Sequence, residues 1–173
     1  CKQLTAIELD RDLIPILQQG AKDIGELNLI NSDILAIDMS ALSLQPPFRL
    51  VGNLPYNIST PLMFHMLEYN ELIKDMHFMV QKEVAERIIA TSDKNTSSSK
   101  HYGRLSVMMQ YFCRCEYLFD VPPGCFSPPP KVDSAIIRLI PHSEPPVQVT
   151  DLEMLELVVK TAFNQRRKTI SNS

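Results

Sequence analysis

No apolar run in this 173-residue chain approaches the ~18 residues that a membrane-spanning helix needs, and no signal peptide is visible. The four cysteines, Cys1, Cys113, Cys115 and Cys125, have neither C-x-x-C spacing nor the density of a disulfide scaffold. A reducing, cytoplasmic setting is therefore expected. A zinc site built from Cys113, Cys115, Cys125 and His101 is disfavoured, because structural sites space paired cysteines by about two to four residues. No metal and no membrane partner are expected. Internal repeats are absent. Positive charge is also in short supply: the net charge is −3, which argues against a strong nucleic-acid binder taken whole. The distribution is uneven, however. Residues 1–99 carry 8 basic and 13 acidic side chains, residues 100–173 carry 9 and 7, and Arg166-Arg167-Lys168 is the densest basic cluster. Such a cluster is either a phosphate contact or a solvated face. There is no initiator methionine, and the chain reads as an internal piece of a longer protein.

What is present is an ordinary globular composition, 45% hydrophobic and 21% charged, enough for one core and part of a second domain. The chain is organised around Arg49-Leu50-Val51-Gly52-Asn53-Leu54-Pro55-Tyr56-Asn57. An apolar run stops at an amide, a proline and an aromatic ring. Ser59 or Thr60 then reads as a helix N-cap, with Pro61 in the first turn. Asn53 to Tyr56 are expected on the loop leaving the carboxyl end of a strand, where open α/β sheets bind ligands. This order of residues suits methylation of an exocyclic amine on a flat base. The amine lone pair is delocalised into the ring, so the amine is a poor nucleophile. Two acceptors aimed at its hydrogens, the Asn53 amide oxygen and the Leu54 carbonyl, would favour the pyramidal geometry of in-line attack. Pro55 would fix the turn, and Tyr56 would offer a face to an unpaired base. The plain alternative is an ordinary strand-to-turn junction.

Along the chain, Leu4 to Asp10 reads as a strand, followed by a helix with Leu13, Ile14, Ile16 and Leu17 closing near Gly20, which Pro15 either weakens or enters in its first turn. Glu8 at the strand end either grips ribose hydroxyls or, with Asp10 and Asp12, complements the helix dipole. Residues 27–33 read as a second strand; Asp33 either accepts from an adenine amino group or is a turn residue. Residues 34–47 are an irregular connection, and Phe48 to Gly52 is the third strand. A helix over 61–69 places Met63 and Met66 in the core. Residues 75–81 form a strand in which His77 is structural, and Lys82 to Ile89 continue as a helix. Thr91 to Lys100 is a polar, glycine-free stretch expected to be a mobile surface loop. A buried helix near 105–112, a strand over 115–121, a proline-rich loop and a strand over 134–140 follow. Prolines on both sides of Phe126 either present its ring to a base stacked on Tyr56 or make it a core plug. Residues 142–150 read as a linker, and Asp151 caps a helix ending near Phe163.

Several segments together resemble the ribosomal RNA adenine N6-dimethyltransferase family, most closely its bacterial small-subunit (16S) members. They are Ile7 to Asp12, Gly52 to Pro61, Gln81 to Val84, Tyr102 to Ser106, Pro122 to Ser134 and Phe163 to Thr169, in the family's order. The resemblance implies an α/β fold: a Rossmann-like S-adenosylmethionine-dependent methyltransferase sheet over residues 1–141, lacking its N-terminal strand and glycine-rich loop. A linker over 142–150 and the start of a small helical domain over 151–173 would follow. It implies S-adenosylmethionine as methyl donor, with Glu8 holding its ribose, Asp33 its adenine, and Asn53 between cofactor and target. Tyr56 would stack on the target adenine with Phe126 opposite. The implied activity is dimethylation of two adjacent adenosines in the 3′-terminal hairpin loop of 16S ribosomal RNA, on an immature small (30S) subunit, with Arg166, Arg167 and Lys168 contacting RNA. A monomer is expected. The rivals are a large-subunit methyltransferase of the erythromycin-resistance type, a DNA adenine methyltransferase, and a non-catalytic rRNA-binding assembly factor.

Overall fold

The computed structural model of the chain describes residues 3–93 and 95–164. Strand β1 (Gln3–Glu8) leads through helix α1 (Leu13–Ala21) to β2 (Glu26–Asn31), which lies parallel to β1 with Glu8 opposite Asn31. Pro15 falls in the first turn of α1, where its missing N–H costs nothing. Residues 34–47 contain two short 3-10 turns and no longer element. Strand β3 (Phe48–Asn53) is joined by helix α2 (Ser59–Leu67) to β4 (Ile73–Gln81), again parallel. Helix α3 (Lys82–Ile89) and helix α4 (Arg104–Phe112) then lead to β5 (Cys113–Val121) and β6 (Ser134–Pro141).

β6 inserts antiparallel between β4 and β5, giving the order β3-β4-β6-β5. A register shift between Tyr117 and Phe119 bends β5. Among the described residues β1 and β2 form a separate two-stranded sheet, so β1 and β3 each have one strand neighbour. Val51 on β3 is correspondingly 77% exposed. Ile7 and Ile30 pack the two-stranded sheet against the common core.

β4 has strand neighbours on both edges, and Met76, Phe78 and Val80 are all buried along it. Met63 and Met66 of α2, Met109 of α4, and Ile137 and Leu139 of β6 complete this core. The methionines do what unbranched, polarisable side chains do best, filling irregular gaps between sheet and helices. Residues 91–100 are not featureless: Thr91, Thr96 and Ser98 hydroxyls bond one another, and a 3-10 turn runs from Ser97 to His101. Beyond β6, the Asp151 carboxylate accepts from Met154 N at 3.0 Å and opens helix α5 (Leu152–Asn164), which packs on α4 and places the Phe163 ring 6.0 Å from Tyr102. No helix among the described residues is long and apolar enough to cross a membrane.

Candidate active site

Asn53 is the last residue of β3 rather than the first of a loop. Leu54 N donates to Met79 O (3.2 Å), carrying the pairing with β4 one residue further. The chain then turns at Pro55, whose carbonyl accepts from Ile58 N at 3.1 Å. The Leu54 side chain is buried beneath Gly52; a Cβ on Gly52 would stand 2.8 Å from Leu54 Cδ2, so only glycine lets the two lie this close. Ile58, not Ser59 or Thr60, occupies the N-cap position of α2. Ser59 is instead the first helical residue, and its buried hydroxyl turns back to donate to Tyr56 O at 3.2 Å. A hydroxyl spent on the preceding turn is no longer available to cap.

The carboxyl ends of β3, β4 and β5 and the start of β6 meet at one end of the sheet. Ser134 faces Gln81 on one side and Val121 on the other. The loop bearing Phe126 leaves β5 and enters β6 here, and the Tyr56 hydroxyl lies 3.1 Å from Ser134 Oγ. Phe126 is partly buried after a short 3-10 turn, with its N–H bonded to Pro123 O. Among the described residues no ring contact joins Phe126 to Tyr56. The Asn53 carboxamide makes no hydrogen bond to another described residue and is exposed, while Tyr56 keeps 40% of its surface open. An unpaired amide, a buried leucine and a tethered phenol thus stand within four residues of chain, the first without a hydrogen-bond partner among the described residues and the last held in place.

Glu8 and Asp33 stand together at the other sheet, at the carboxyl ends of β1 and β2. Glu8 Oε1 accepts from Asp10 N at 2.9 Å, and the Glu8 carbonyl accepts from Asn31 Nδ2 at 2.8 Å. Asp33 Oδ1 accepts from Leu35 N at 2.9 Å, capping a 3-10 turn. Each carboxylate therefore spends one oxygen on a local turn, and no hydrogen bond from another described residue reaches the other. Arg166, Arg167 and Lys168 lie outside the described residues.

Two clefts flank this end. One of about 320 Å³ is lined by Gln81, Lys82, Glu83, Glu86, Val132 and Asp133, directly beside Ser134. A larger one, about 610 Å³, opens between α3, α4 and α5 and is bordered by Arg87, Lys100, His101, Arg104 and Phe163. Neither is lined by Asn53, Tyr56 or Phe126. Lys82 Nζ donates to Asp120 Oδ2 at 2.7 Å, and the Tyr117 hydroxyl donates to the same carboxylate. The bond to Asp120 raises the Lys82 pKa, and the two bonds together lower that of Asp120. His77 sits opposite Val51 on β3, two residues along β4 from Met79, the partner of Asn53; its buried Nδ1 lies 3.7 Å from Asp75 Oδ1 and has no hydrogen-bond partner among the described residues. No three His, Cys, Asp or Glu among the described residues are grouped to hold a metal ion. The only sequence signal at Ser134 is its place at the start of a buried strand directly after the proline-rich loop.

A family model described as "Ribosomal RNA adenine dimethylase" matches residues 1–173. A curated relative from Marinobacter nauticus, "Ribosomal RNA small subunit methyltransferase A", is 52% identical over 97% of this chain and 59% of its own length. The relative of the same description from Pseudomonas fluorescens Pf-5 is 54% identical over 99% of this chain and 62% of its own length. The chain thus spans about three fifths of the curated relatives it matches. Among solved structures, a dimethyladenosine transferase from Plasmodium falciparum superposes with a TM-score of 0.79 at 29% identity, covering 97% of this chain and 57% of that one. The 23S rRNA methyltransferase ErmE gives 0.76 at 29% identity, covering 98% and 65%. The α/β architecture is thus that of Rossmann-like methyltransferases, and with the whole described sequence inside the matched region, the chain belongs to the ribosomal RNA adenine dimethylase family.

Proposed function

We propose that the protein transfers methyl groups from S-adenosylmethionine to the N6 atoms of two adjacent adenosines in the 3′-terminal hairpin loop of 16S ribosomal RNA, on an immature small subunit in the cytoplasm. The observation that carries this choice of substrate is that the small-subunit relatives share over half of the residues, far more than the large-subunit enzyme that shares the fold.

The donor set fits the cofactor. Carboxylates at the ends of β1 and β2 are suited to accept from ribose hydroxyls (Glu8) and from an adenine amino group (Asp33). The cofactor supplies a methyl group made electrophilic by its sulfonium. This chain's residues do the rest. The Asn53 carboxamide oxygen and the Leu54 carbonyl accept from the two N6 hydrogens, which draws the nitrogen toward a pyramidal shape and frees its lone pair for attack. Tyr56 stacks on the unpaired adenine, and Phe126 closes the opposite face. Arg166, Arg167 and Lys168 contact rRNA phosphates. The exposed apolar residues Leu152, Met154, Leu157 and Val158 of α5 support a boundary after residue 141, a linker over 142–150, and a helical domain beginning at residue 151. The protein acts as a monomer.

The test is methyl transfer by the protein at the full length of its relatives, offered immature small subunits and naked large-subunit RNA in parallel. Incorporation into the small subunit, at two adjacent adenosines mapped by primer extension, is expected. Labelling of large-subunit RNA alone would favour the erythromycin-resistance type. Failure to bind S-adenosylmethionine would favour a non-catalytic assembly factor.

A further inference from the structure

Tyr56 is held at both of its ends by serines that are themselves buried. Ser59 Oγ donates to the Tyr56 carbonyl at 3.2 Å, and Ser134 Oγ lies 3.1 Å from the Tyr56 hydroxyl. Ser59 and Ser134 are 2% and 1% exposed, whereas Tyr56 is 40% exposed. Ser134 is the first residue of β6 and sits between Gln81 of β4 and Val121 of β5, so its position is set by the two strands pairing on either side of it. A partly exposed ring is therefore anchored to a strand that is paired along both of its edges.

We infer that Ser134 is a positioning residue for methyl transfer, fixing the Tyr56 ring against which the target adenine stacks. The inference rests on the proposed role of Tyr56. The phenol oxygen lies on the long axis of the ring, so a bond there stops the ring swinging about Cα–Cβ, the motion that would carry a stacked base sideways. Half-exposed tyrosines otherwise sample several staggered wells. In-line transfer tolerates little of this, since a displacement of about 1 Å at the reacting atoms can cost on the order of 10²-fold in rate. Burial adds to the effect: with water excluded from Ser134 Oγ, the phenol is its available partner, and each hydroxyl can donate while the other accepts.

The experiment is a double-mutant cycle in the protein at the full length of its relatives, using Ser134→Ala, Tyr56→Phe and the double variant, with Tyr56→Ala as reference. Turnover is measured on immature small subunits, alongside S-adenosylmethionine affinity and thermal unfolding. Ser134→Ala and Tyr56→Phe should each lower kcat roughly 3- to 12-fold, the size of one lost hydrogen bond. The double variant should be no slower than the slower single one, because both remove the same bond. Cofactor affinity and its KM should stay at wild-type values, which a general loosening of the fold would not allow. A Ser134→Ala enzyme within about twofold of wild type, or effects that multiply in the double variant, overturns the inference while leaving Tyr56 itself in place, provided Tyr56→Ala is strongly impaired. Near-normal turnover by Tyr56→Ala would instead remove the stacking role, and this inference with it.

Discussion

The Arg49 guanidinium and the Asp75 carboxylate meet across the β3–β4 pair in a two-bond fork, Nε to Oδ1 at 2.6 Å and Nη2 to Oδ2 at 2.9 Å. Asp75 is wholly buried, and Arg138 Nη2 reaches the same Oδ2 from β6 at 2.7 Å. Arg138 also approaches Glu116 on β5 at 3.4 Å, so the charges form a ladder across all four strands of the larger sheet. The hydrogen bonds from Arg49 hold the Asp75 carboxyl well below the usual carboxylate range; burial pushes the other way, and Arg138 adds to the lowering.

Removing this charge leaves two guanidinium groups facing a neutral, buried site. Arg49 and Arg138 are 52% and 31% exposed and can turn to water, so the loss is that of hydrogen bonds to a buried charged group, about 1.5–3 kcal/mol. Asp75→Asn should therefore lower Tm by roughly 3–12 °C, using about 2–4 °C per kcal/mol for a domain of this size. Because the folded pKa lies below the unfolded one, the stabilisation is present above the ordinary carboxylate range and is lost as pH falls through it toward the folded value. Denaturant midpoints from pH 7 down to pH 3 should show a drop in the wild type that is smaller in Asp75→Asn. By contrast, Lys82–Asp120 is half exposed, with both side chains over one third accessible. Asp120→Asn should leave Tm close to the wild-type value, with any difference shrinking further at high salt.

Gly52 controls the turn from beneath. Gly52→Ala puts a methyl group 2.8 Å from Leu54 Cδ2, inside any real contact distance, and Phe78 Cδ1 at 3.5 Å closes the other side. The displaced group is the end of a flexible side chain, so the strand survives, but Leu54 must turn within a packed site. Overpacking of this kind costs about 1–3 kcal/mol. The Leu54 backbone follows its side chain, which moves the carbonyl assigned to the amine. Gly52→Ala should thus lose more turnover than its modest fall in Tm would account for, and Gly52→Val should lose more of both. Thermal unfolding and methyl incorporation on one preparation of each variant check this.

How much of this was legible in advance follows from the range of each interaction. Helix α3 spans the expected residues 82–89 because its apolar spacing and Glu83 in the first turn are local signals. The turn after β3 was equally plain, since Pro55 fixes its own backbone wherever it occurs. The end of β3 was placed one residue short, because Asn53 pairs with Met79 through backbone bonds that no side-chain pattern announces. Ser59 looked like a cap because serine before a helix usually is one; its actual acceptor, Tyr56 O, depends on how tightly the turn folds back. The separation of β1-β2 from the larger sheet, the Arg49–Asp75–Arg138 ladder and the Tyr56–Ser134 contact join residues from 26 to 78 positions apart or depend on which strand edges pair. Those partners are set by topology, and periodicity along a single chain carries no record of them.

Asn53 gives the sharpest chemical test. Its carboxamide bonds to no other described residue and ends a strand whose backbone is fixed by β4, so its removal leaves little to rearrange. Asn53→Ala should fold with a Tm close to that of the wild type. If the amide oxygen accepts an N6 hydrogen only as the nitrogen becomes pyramidal, its loss acts on the transition state. A single group of this kind is worth roughly 10²–10³ in rate. RNA affinity should be nearly unchanged, because the phosphate contacts that would dominate binding are proposed for Arg166, Arg167 and Lys168. Tyr56→Ala, which removes the proposed stacking surface both before and during reaction, should weaken both turnover and binding of the hairpin. Single-turnover rates and filter-binding affinities for the two variants separate the roles: near-normal single-turnover chemistry in Asn53→Ala would show that the amine is steered by some other acceptor.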